Sequence, residues 1–113
     1  MPPTPTAWYA ARAVFLHKGL GPARGKKRVF EERIVLLRAA TEKAALREAE
    51  REARRYARST SGVDYVGFVE TFRLFESRLR SGSEVFSLMR SSTLTPSRFV
   101  SRYVDDGTER RRK

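Results

Sequence analysis

The stretch "HKGLGPARGKKR", positions 17–28, places three glycines among five basic residues with no acid. A loop of that composition could cradle a phosphate with its backbone N–H groups. A P-loop, however, needs four residues between its glycines, then Lys and a hydroxyl residue, then the amino end of a helix. Gly21 and Gly25 enclose only Pro22, Ala23 and Arg24, Lys26 and Lys27 follow, and the next stretch has a strand pattern. The dinucleotide fingerprint fails as well, because Gly19-Leu20-Gly21 lacks a third glycine at the required spacing. What the composition supports is a solvated basic hairpin tip. Its candidate anion contacts are Lys18, Arg24, Lys26, Lys27 and Arg28, acting by charge alone.

Other candidate chemistry is sparse. His17 could bind an anion or act as a base, but the sequence places nothing beside it to complete a triad. One histidine and no cysteine leave too few ligands for a zinc site, so no cofactor is expected. Glu31 and Glu32 are strand neighbours and must point to opposite faces, so they cannot share a proton or a metal. Asp105 and Asp106 lie beside a charged tail, where such a pair is solvated. "VGFVETF" echoes the middle of an RNA-stacking strand, but Asp64, Tyr65 and Thr71 stand where a basic residue, a glycine and an aromatic are needed. Phe68 and Phe72 are therefore expected in the core. With no nucleophile–base arrangement, the chain is not expected to be an enzyme.

The elements that hold these residues follow from periodicity. "AWYAARAVFLH", 7–17, alternates Trp8, Ala10, Arg12, Val14 and Leu16 against Tyr9, Ala11, Ala13, Phe15 and His17. Both sets are largely apolar, which predicts a central strand covered on both sides. "KRVFEERIVLLRA", 27–39, predicts a second strand with a polar centre, partly exposed or at an edge. "TEKAALREAEREARRYARS" predicts a helix capped by Thr41, with Glu42 in its first turn and an apolar stripe of Ala45, Leu46, Ala49, Ala53, Tyr56 and Ala57. That stripe is rich in alanine, so the helix should lie close to the sheet. Arg47, Arg51, Arg54 and Arg58 share one side of it, interleaved with Glu48, Glu50 and Glu52, which reads as a salt-bridged solvated face.

"VDYVGFVETFRLFES" predicts a third strand, residues 63–76, "RLRSGS" a turn, and "EVFSLMRS" a fourth strand. "LTPSRFVSRYVDDG" predicts a short closing helix with Thr95 as cap, Pro96 at the first position, and Phe99, Val100 and Tyr103 facing inward. The order is ββαββα. A right-handed crossover from strand two to strand three gives an α+β fold, a four-stranded antiparallel sheet in the order 2-1-3-4. One main helix covers one face, and the other is left to the short C-terminal helix, a second copy of the chain, or both.

The totals bound the rest. A chain of 113 residues is one domain, expected over 7–104, with flexible termini at 1–6 and 105–113. The net charge is +11, and five of the basic residues behind it lie between 18 and 28. Such a field favours anionic partners. The opening "MPPTPTAWYAAR" lacks the charged-then-apolar pattern of a secretory leader, and no apolar run nears the length of a membrane span, so a cytoplasmic setting without membrane contact is expected.

Taken together, "WYAARAVF", "FEERIVLLRAATEKAALREAEREARRYA", "YVGFVETFRLF", "EVFSLMRSS" and "VDDGTER" make the chain resemble a bacterial family catalogued as domain of unknown function 4288, from Trp8 to Arg110. The resemblance implies a compact domain whose helix follows a strand pair, and it carries over no functional residue. The tip "GPARGKKR" lies outside the similar segments.

The expected function is a non-enzymatic interaction module. It is expected to be homodimeric and to bind another protein through its sheet or dimer surface, built on Trp8, Tyr9, Phe15, Phe68, Phe72 and Phe75. The alternative is an accessory nucleic-acid binder using the basic loop with Arg47, Arg51 and Arg54.

Overall fold

The computed structural model describes residues 5–18 and 28–109. Strand β1 (Ala7–His17) and strand β2 (Val29–Ala39) form an antiparallel hairpin in unbroken register, from Ala7 opposite Ala39 to His17 opposite Val29. Helix α1 (Glu42–Ser59) follows. The Thr41 side chain accepts a hydrogen bond from the Ala44 N–H at 3.1 Å, satisfying one of the orphan donors of the first turn. Strand β3 (Val63–Arg73) then lies on the other side of β1, giving an antiparallel sheet in the order β2-β1-β3. The hairpin, the helix and the central place of β1 agree with the pattern in the sequence.

Alanine sets the depth of the core. The odd residues of β1 face α1, and Tyr9, Ala11, Ala13 and Phe15 are buried there with Ala45, Ala49 and Ala53 of the helix. A Cβ methyl at each contact lets the helix backbone approach the sheet. Phe15 is fully buried and meets Tyr56 edge-on, with ring centroids 4.8 Å apart.

β3 is not regular. Ala13 pairs with Val69 and Phe15 with Tyr65, so β3 spends two extra residues on one step of β1. Gly67 sits in this bulge at φ +90°, a conformation that side chains rarely adopt. Two extra residues preserve the alternation, so Tyr65 and Val69 still face the helix.

Two expectations are corrected. The sheet has three strands, not four: residues 84–91 form no strand. The turn before them exists, with Ser83 N–H donating to the Arg80 carbonyl at 2.9 Å, but β3 ends at Arg73 and its bulge breaks the free edge that a fourth strand would need. The closing helix also differs. Helix α2 spans only Pro96–Phe99 and continues as a π-helical turn, Val100–Val104. Thr95 caps it and Pro96 opens it, as expected, but Val100 and Tyr103 do not face inward. They are about half exposed, and neither α2 nor the π-helical turn reaches a strand or α1 among the described residues.

Candidate interaction surface

The face of the sheet opposite α1 is built from the even residues of β1 and β2 with Asp64, Glu70, Phe72 and the bulge of β3. Phe30, Ile34, Leu36, Val66 and Phe68 are all exposed there, between 38% and 55%. Phe68 therefore lies at the surface, not in the core. The bulge accounts for this: it lifts Val66 and Phe68 out of the ladder opposite Val14.

The centre of this face is charged. Arg12 donates to Glu70 at 2.8 Å on one neighbouring strand and to Glu32 on the other. Its guanidinium holds its proton above the ordinary arginine value, chiefly through the bond to Glu32, with Glu70 adding to this and burial opposing it. A charge lying mostly under its neighbours is tolerable here because both carboxylates meet it with hydrogen bonds. Trp8 lies under Arg38, 4.8 Å from guanidinium to ring. Phe72 is half-buried between Phe75 and Phe86, whose rings lie 6.0 and 5.9 Å from it. Residues 74–86 thus turn back far enough to set the Phe86 ring on the face, beside Phe72 and Arg12. Phe75 lies past the end of β3 and is 83% exposed. Of the six aromatics expected at the sheet surface or core, Tyr9 and Phe15 are buried under α1, Trp8, Phe68 and Phe72 lie on the open face, and Phe75 is beside it.

The basic candidates do not come together in one place. Arg24, Lys26 and Lys27 lie outside the described residues. Lys18 is exposed and pairs with Asp64 at 3.3 Å, and Arg28 is exposed at the start of β2. On α1, Arg51 pairs with Glu48 and Arg54 with Glu50, each at 2.8 Å, while Arg47 is exposed. Arg54 also lies over the Tyr65 ring at 5.3 Å. The helix arginines are thus partly neutralised by their own glutamates.

One cluster follows from the strand pairing and not from any local motif. His17 Nε2 and Glu31 Oε1 are 2.8 Å apart, and the Tyr56 hydroxyl donates to the same oxygen at 2.7 Å. A hairpin register placing Phe15 opposite Glu31 makes His17 and Glu31 diagonal neighbours on the helix side. Beside them Arg33 grips Glu52 with both ends of its fork, at 2.6 and 3.0 Å, and stacks on Tyr56 at 3.9 Å. These contacts fasten α1 to the mouth of the hairpin. Among the described residues, no three His, Asp or Glu side chains gather as a metal set.

Residues 8–87 match the family described as Domain of unknown function (DUF4288). The chain belongs to that family. The DUF4288 match runs from the first residues of β1 to just past Phe86, so it takes in the sheet, α1 and the aromatic ring seated on the open face. No curated protein and no solved structure matches the chain. No described helix of this DUF4288 chain is long and apolar enough to cross a membrane.

Proposed function

We propose that this DUF4288 protein is a non-enzymatic interaction module that self-associates through the open face of its sheet. The observation that carries the reading is the exposure of Phe30, Ile34, Leu36, Val66 and Phe68 on one face of a three-stranded sheet. Apolar patches of this kind mark contact surfaces. Charge supports a second copy as the occupant. Two molecules at +11 repel each other over most of their surface. The open face carries Arg12, Arg38 and Lys18, which pairs with Asp64, against Glu32, Asp64 and Glu70, a local balance of zero. It is a place where like molecules can approach.

The carboxylates suited to catalysis are engaged structurally, Glu31 with His17 and Tyr56, and Glu52 with Arg33. That supports binding over catalysis. A cytoplasmic setting belongs to the same reading, supported by a small domain that contains no cysteine. Light scattering at micromolar concentration is expected to give the mass of a dimer, and Ile34→Glu, which places a charge on the patch, is expected to give a monomer. A wild-type monomer would refute the reading.

The alternative is an accessory nucleic-acid binder. It is supported by the exposed Lys18, Arg28 and Arg47 on a chain of net charge +11. It requires a mobility shift with duplex or single-stranded nucleic acid at low salt that fades steeply as salt rises. No shift at low salt would remove it.

A further inference from the structure

The outer edge of β2 is open. Among the described residues, β1 and α1 are the elements that touch this strand, and α1 packs more on β3 than on β2. β2 runs eleven residues without proline or bulge, so it lacks features that commonly protect an edge. Two bonds on the far side of β1 show which of its backbone groups face outward. The Lys18 N–H donates to the Gly62 carbonyl at 2.8 Å, and the Leu74 N–H donates to the Trp8 carbonyl at 2.9 Å. Even positions of β1 thus point their backbone groups at β3, and odd positions point theirs at β2. The register sets odd opposite odd. The N–H and C=O groups of Phe30, Glu32, Ile34, Leu36 and Arg38 therefore face away from the sheet.

β2 is complementary to itself when two copies run antiparallel. Outward residues must meet outward residues, which restricts the register. Centred on Glu32 or on Arg33, the pair sets a charge against its own copy. Centred on Ile34, it sets Glu32 against Leu36. Centred on Val35, it sets Ile34 against Leu36 and Glu32 against Arg38, each twice by symmetry. Arg12 takes one oxygen of Glu32, and Arg38 rests over the Trp8 ring, a contact that uses none of its N–H donors. The other two charges of the strand, Glu31 and Arg33, are held on the helix side by Tyr56 and Glu52. In this register they oppose Ala39 and Leu37. With two acids and two bases β2 is neutral, on a chain of net charge +11, and Arg28 lies outside the paired stretch.

We infer that β2 pairs with β2 of a second copy, antiparallel and centred on Val35, so that two three-stranded sheets become one continuous sheet. Residues 31–39 of each copy form the junction. Ile34 and Leu36, exposed in the single chain, meet their counterparts across the two-fold axis. That axis runs perpendicular to the sheet, so both helices lie on the same side of it. Edge pairing rests on the self-association read from the open face and specifies which part of that surface makes the contact.

Val35 is opposite Ala11 on the helix side of the sheet, so stacked open faces cannot bring two copies of it together. In the joined sheet it faces itself in a non-hydrogen-bonded pair, where Cα atoms lie about 4.5 Å apart, within the range of a disulfide. The chain has no cysteine, so an introduced thiol reports this contact cleanly. Val35→Cys, mildly oxidised, is expected to give a disulfide-linked dimer. Leu37→Cys, on the same side and one step along, is expected not to link. A non-covalent dimer in which Val35→Cys fails to link would overturn edge pairing and leave the open-face reading intact. Equal linking of Leu37→Cys would also overturn the pairing centred on Val35. A wild-type monomer by light scattering would overturn both readings. Glu32→Arg and Arg38→Glu test the same register without a thiol. Each alone sets like charge on like and is expected to be monomeric, whereas an equimolar mixture of the two is expected to restore the dimer. A mixture that stays monomeric would count against edge pairing, and a thermal melt of each variant establishes that it is folded.

Discussion

The two faces of the same three strands reach opposite ends. Toward α1, β1 offers Tyr9, Ala11, Ala13 and Phe15, and the helix answers with Ala45, Ala49 and Ala53, so the layers close and the side chains vanish from solvent. On the other face, large apolar groups sit out on β2 and the bulge, and the centre is an arginine held between two glutamates. Both faces are apolar enough to be covered. What separates them is size and charge at the centre. Small residues admit a helix of the same chain, whereas a ring of large residues around an ion triad awaits something shaped to it.

The sharpest test of this contrast is phenylalanine against phenylalanine. Phe15→Ala should lower stability by about 3–5 kcal/mol, whereas Phe30→Ala should cost under about 1 kcal/mol in the monomer. Urea unfolding measures both, and equal losses would erase the difference between the faces. Next in size is overpacking. Ala49→Leu forces bulk into the helix–sheet contact and should cost about 1–3 kcal/mol. A neutral result would mean that the helix does not depend on close approach.

Arg12→Met is expected to have a smaller effect, about 1–2 kcal/mol, because it leaves two partly exposed glutamates without their shared partner. Restoring charge balance with Glu32→Gln and Glu70→Gln in the same chain should recover part of that loss.

The smallest effect is a pH dependence at the edge of the covered face. Burial raises the Tyr65 phenol above its ordinary value of 10.0, Glu50 adds to the rise, and Arg54 opposes it. A group raised in the folded state contributes stability that is complete below its unfolded pKa and is lost as pH climbs through the folded one. Unfolding midpoints should therefore hold through neutral pH and decline above about pH 10, with Tyr65→Phe declining less. An identical decline in the variant would assign it to other groups.

What could be read from the sequence was what short-range physics decides. Alternation in 7–17 and 29–39 fixed a hairpin and its faces, and Thr41 with the alanine stripe fixed α1 and its buried side. The fourth strand failed for a reason that lies elsewhere in the chain. "EVFSLMRS" has strand composition, but a strand needs an edge to pair with, and the bulge at Gly67 removed that edge. Periodicity in one segment carries no information about the availability of another. The exposure of Phe68 was hidden by the same bulge. The contact between His17 and Glu31 follows from the hairpin register, which makes them diagonal neighbours, and not from the local pattern around either residue. In the closing helix the cap was visible, and the lack of packing against α1 or a strand among the described residues was not.

The bulge also has a consequence for how far assembly can go. The sheet has two outer edges. β2 is eleven residues of unbroken register, able to accept a strand along its length, while β3 is kinked by its two extra residues and offers only interrupted pairing. A sheet that can be extended from one side alone can be doubled but cannot be propagated, because joining two such sheets consumes both usable edges. The bulge at Gly67 thus works against end-to-end growth of the sheet into a fibre.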